Sequence, residues 1–174
     1  MYKKILLLSS LLLIGGCSPR DNSNLAQLFT KDDIYHISLQ NTQKAQLMAS
    51  FETKALLTAT YLNPVYGSKN CKNFYVDVAD GEYFFIGVYI RDSKTHHFNN
   101  KGYSLKLGGL KPDDIKKLDK DDPLRYEMPM VNNWSTYYKV KFPKSNEENL
   151  ILTFESDRFG KDELKFSRST TPSF

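Results

Sequence analysis

Past its first thirty residues, the chain breaks into short runs in which apolar and polar residues alternate, the pattern of half-buried strands. "IYHISLQ" (34–40) sets Ile34, His36 and Ser38 against Tyr35, Ile37 and Leu39, which predicts a first strand. Two periods fit the segment that follows. Met48, Phe51, Ala55, Ala59 and Leu62 recur at helical steps, whereas Ala55, Leu57, Ala59 and Tyr61 alternate as a strand does. With Thr53, Thr58 and Thr60 adding β-branched residues, strands around Ala45–Ser50 and Lys54–Leu62 are preferred.

"NFYVDVAD" and "EYFFIGVYIRD" read as a hairpin about Asp80-Gly81, and the second run, apolar on both faces, predicts a central strand. "YSLKLGG", "WSTYYKVKFP", "NLILTFES" and "ELKFS" supply further strands, and "SKTHHFNNKG" an exposed loop. One helix is expected within residues 111–123, where Pro112 precedes Asp113 and Asp114 and places Ile115 and Leu118 on one face. The pattern predicts an all-β fold: an immunoglobulin-like antiparallel β-sandwich of about seven strands and one short helix, forming a single domain over residues 31–174.

The first residues break this rhythm. Lys3 and Lys4 precede an apolar run, Ile5–Ile14, that as a helix would cover roughly 15 Å. A bilayer core is about 30 Å thick, so the run reads as a targeting segment instead of a span. Ile14, Gly15 and Gly16 lead directly into Cys17. This resembles the lipobox of bacterial lipoproteins, with Gly15 where that family more often has Ala, Ser or Thr. The resemblance implies that residues 1–16 are a signal peptide and that the Cys17 thiol is lipidated, the new amine being commonly acylated as well. Several fatty chains hold durably where one holds only marginally. Residues 17–30 then form the lipidated N-terminus and a flexible tether, and Ser18 in place of Asp implies the outer membrane over the inner. The run from Tyr83 to Phe166 is similar to small immunoglobulin-like lipoproteins of Campylobacter- and Helicobacter-type bacteria, a likeness that carries the fold and no functional motif.

Composition adds limits. Removing residues 1–16 leaves 158 residues, enough for one domain with its own core. The formal charge of +4 includes Lys3 and Lys4, and acids and bases are interspersed along the rest, so nucleic acid is not an expected partner. With Cys17 lipidated, only Cys71 remains, and no intramolecular disulfide can form.

Chemical motifs are sparse. A calcium loop starting at Asp119 would need Gly at its sixth position and Glu at its twelfth, where Leu124 and Met130 stand. His96 and His97 have no third ligand by spacing, and neither a nucleophile elbow nor a phosphate loop is present. No metal, cofactor or catalytic residue is therefore expected. Aromatic residues make up 13% of the chain and crowd in "NNWSTYYKVKF", where strand parity puts Trp134, Tyr138 and Phe142 on one face and Tyr137 on the other. Trp134 and Tyr137 are the candidate contacts for a protein or surface-glycan partner. The functional expectation is a lipid-anchored, non-enzymatic binding module of the cell envelope, serving adhesion or envelope assembly, held to the membrane through the lipid on Cys17. A lipid-anchored carrier of a small hydrophobic ligand in a β-barrel cavity is the alternative.

Overall fold

The computed structural model describes residues 33–67, 77–91, 93, 96–98 and 102–168; Cys17, Cys71 and the expected signal peptide (1–16) and tether (17–30) lie outside them. A helix, α1 (33–40), leads into strand β1 (Thr42–Ala49), which turns at Ser50 and Phe51 into β2 (Glu52–Tyr61). Alternation dictates both strands, with Ala45, Leu47, Ala55, Leu57 and Ala59 buried and Lys44, Gln46 and Leu56 outward. Ser50 takes a positive φ of 56°, as a tight connection between twisted strands requires.

A single helical turn, α2 (Asn63–Tyr66), then precedes β3 (Glu82–Ile90), whose side chains are buried along nearly its whole length. The remaining elements are β4 (Tyr103–Leu107), β5 (Asp114–Lys117), α3 (Pro123–Glu127), β6 (Thr136–Phe142), β7 (Asn149–Ser156) and β8 (Gly160–Ser167). They form two antiparallel sheets, ordered β1-β2-β3-β6-β5 and β4-β7-β8. Setting β1 aside, this strand order matches the ABED and CFG sheets of an immunoglobulin-like sandwich. The expected sandwich is thus present, with eight strands and three short helices among the described residues.

β1 extends the larger sheet beyond β2 and runs beside β8 of the smaller one. Its Gln43 side chain takes the place of a ladder: Nε2 donates to the Lys165 carbonyl, and Lys165 N donates to Gln43 Oε1 at 3.2 Å. Gln46 N donates to Asp162 Oδ2 at 2.9 Å a little further along.

Two apolar cores result. Between the sheets, Phe84, Ile86, Val88, Tyr138, Val140 and Phe142 meet Leu105, Leu152, Phe154 and Phe166. On the outer face of the larger sheet, Tyr83, Phe85 and Tyr137 are covered by Ile34 of α1, Val65 of α2 and Leu124 of α3. β3 is apolar on both faces because it separates these two cores.

Four expectations are corrected. Residues 34–40 are helical: Ile34 and Ser38, one helical turn apart, are both buried, and the alternation of so short a run coincided with that stripe. Residues 77–80 are not a strand, and β3 has no edge left for a hairpin partner because β2 and β6 already pair along its two sides; residues 71–76 lie outside the described set. The helix expected from Pro112 is strand β5; the Ile115 side chain packs into the inter-sheet core and Leu118 into the outer one, as a three-residue spacing does in extended chain. The helix instead starts at Pro123, capped by Asp122, whose carboxylate accepts from Leu124 N at 3.0 Å. Finally, His96 and His97 are half-buried and not exposed, with Phe98 fully inside.

Candidate functional site

The outer core covers only part of the larger sheet. Beyond Phe85, β3 presents Gly87 and then Tyr89, while β2 presents Thr58 and Leu56 and β1 presents Lys44. Gly87 leaves a depression that no other residue would keep: a Cβ there would lie 2.6 Å from both Thr58 Oγ1 and Tyr137 Cε1. The chain between α3 and β6 returns along this depression and walls it. The result is a groove of about 440 Å³ lined chiefly by Lys44, Leu56, Tyr89, Met130, Asn132 and Trp134.

The wall is held from below. Asn132 Oδ1 accepts from Trp134 N at 3.1 Å and from Ser135 N at 2.9 Å, an Asx turn that fixes the backbone at the tryptophan. Asn132 N in turn donates to the Tyr137 hydroxyl at 2.7 Å, and that hydroxyl lies 3.4 Å from the Met130 carbonyl. Tyr137 is pinned by Phe85, stacked at a 5.2 Å centroid distance, and by the Arg125 guanidinium 4.7 Å from its ring centroid. Met130 adopts a positive φ of 62°, the sharpest bend of the wall.

The two candidate partner residues therefore part company. Trp134 is 68% exposed, and because β6 begins only at Thr136, strand parity does not reach it. Tyr137 is 1% exposed, so it cannot touch a partner; it positions the segment that carries Trp134. Leu56, Gly87, Tyr89, Met130 and Asn132 complete the groove and were not singled out by sequence. One signal for them was available: in β2 the outward parity runs Lys54, Leu56, Thr58, and the leucine breaks a polar face.

A second concavity, of about 600 Å³, lies at the end of the sandwich where β3 leaves for β4, among Lys54, Arg91, His97, Arg158 and Phe159. Its charge is largely satisfied, since Glu52 lies 2.7 Å from Lys54 and 3.6 Å from Arg91. The Lys54 ammonium, and then the Arg91 guanidinium, hold the Glu52 carboxyl below its ordinary range. Both histidines serve the fold: His96 Nδ1 meets the main chain of Ile90, and His97 Nδ1 meets the Tyr138 hydroxyl. Among the described residues no three His, Cys, Asp or Glu side chains gather where they could hold a metal.

No family model matches the chain, and no significantly similar curated protein or solved structure was found.

Proposed function

We propose that this chain is a lipid-anchored, non-enzymatic binding module of the cell envelope that takes a partner in the groove beside Trp134. The observation that carries the reading is the pairing of an exposed indole with a preformed depression, since amphipathic aromatics supply contact area at small entropic cost. Two further exposed apolar side chains, Leu56 and Met130, line the same groove. The tether expected over residues 17–30 would separate the lipid on Cys17 from the domain. The carrier alternative requires interior space, whereas the inter-sheet region is occupied by Phe84, Phe142, Phe154 and Phe166.

The reading makes two demands. Cys17→Ser should abolish fatty-acid labelling and membrane retention, and Trp134→Ala should abolish partner capture from envelope material while leaving the thermal midpoint unchanged. Capture that survives Trp134→Ala would remove the groove from the function.

A further inference from the structure

We infer that the ligand of this groove is an acidic oligosaccharide, a short run of pyranose rings bearing carboxylates; this rests on the reading of the groove as the binding surface. The lining is two-sided in its chemistry. Trp134, Leu56 and Met130 offer apolar surface, and Gly87 keeps the floor open to ring-shaped groups. Pyranose rings match such a surface because their C–H faces stack on an indole while their hydroxyls project to the rim.

The polar side chains of the lining can all donate, and one of them carries a positive charge. Asn132 already uses its Oδ1 twice on the backbone, which orients the amide and leaves the Nδ2 donors without a partner among the described residues. The Tyr89 hydroxyl is also unpartnered there. Lys44 is the single charged residue of the lining, its Nζ has no ion-pair partner among the described residues, and no carboxylate lines the groove. A donor-rich, cationic rim calls for an acceptor-rich, anionic ligand. An apolar peptide helix would leave these donors unsatisfied, at a cost when they are covered.

The chain contains one tryptophan, and it stands in the groove, so its emission reports occupancy directly. The full-length protein in detergent would be titrated with tetragalacturonate and, separately, with neutral cellotetraose. Tetragalacturonate should shift the emission saturably and bind about fivefold tighter than cellotetraose, the upper end for an exposed charge contact. Lys44→Gln should erase that preference while leaving the thermal midpoint, and hence the fold, unchanged. A tetragalacturonate response that ignores Lys44→Gln, or no response to either sugar at millimolar concentration, overturns the assignment. If neither sugar binds but a protein is captured in a Trp134-dependent way, only the ligand class falls. If Trp134-dependent capture is also lost, the groove reading falls with it.

Discussion

The Tyr61 hydroxyl donates to Glu82 Oε2 at 2.6 Å, and neither side chain reaches solvent. Asn63 Nδ2 donates to the same oxygen at 3.1 Å, Ser145 N to Oε1 at 3.1 Å, and the Arg168 guanidinium to Oε1 as well. One buried carboxylate thereby ties β2, the start of α2, the β6–β7 connection and the residue after β8. Removing the cation strands a buried charge, whereas removing one neutral donor only weakens its solvation. Arg168→Met should therefore cost about 3 kcal/mol. Tyr61→Phe should cost about 1.5 kcal/mol. Urea unfolding measures both, and the reverse order would contradict the role given to Arg168.

Alkaline pH should unfold the domain from within. Burial pushes Tyr138 up to about 12, and burial together with the bond to Glu82 pushes Tyr61 higher still. A phenol ordinarily titrates near about pH 10. Each tyrosine holds its proton more tightly folded than unfolded, so its stabilisation is complete below that pH and is lost as pH rises through the folded value. The thermal midpoint should fall above about pH 10, less steeply in Tyr61→Phe. A flat profile to pH 12 would sink the argument.

Gly87→Ala should cost about 2 kcal/mol, because the added methyl meets the Tyr137 ring, which Phe85 and Arg125 hold in place. The same methyl fills the groove floor, so Trp134 emission should lose its response to any groove ligand. A stable Gly87→Ala protein with unaltered binding would show that the floor is not part of the site.

Gln43→Ala should open the junction between the sheets without melting either. Hydrogen exchange at the Lys165 amide, which donates to Gln43 Oε1, should accelerate at least about tenfold. Exchange at Leu164 and Phe166 should change far less. Uniform acceleration along β8 would mean that Gln43 supports the whole sheet instead.

The architecture was largely legible because most strands bury one face, so alternation marked β1, β2, β4, β6, β7 and β8. β3 was legible for the opposite reason, its continuous apolar run requiring cover on both sides. The misread segments are those where period two and period 3.6 agree over a few residues. Ile34 to Ser38 satisfies both, and Ile115 with Leu118 fits a helix face as readily as a strand whose two sides are both buried. Tyr137 was recognised as an important aromatic, but its hydroxyl reaches Asn132 only through the turn geometry, which no spacing encodes. The groove draws a few residues each from β1, β2, β3 and the approach to β6, so no local motif could have announced it.

With β1 bound to β2 by its ladder and to β8 by side chains, the sheet edges left unpaired among the described residues are β4 and β5, of five and four residues. Lys106 lies on the first and Lys116 and Lys117 on the second. Neighbouring copies crowded side by side on a surface would thus find little backbone to zip against. Even at high local density such copies would stay separate molecules instead of fusing into a continuous β-layer.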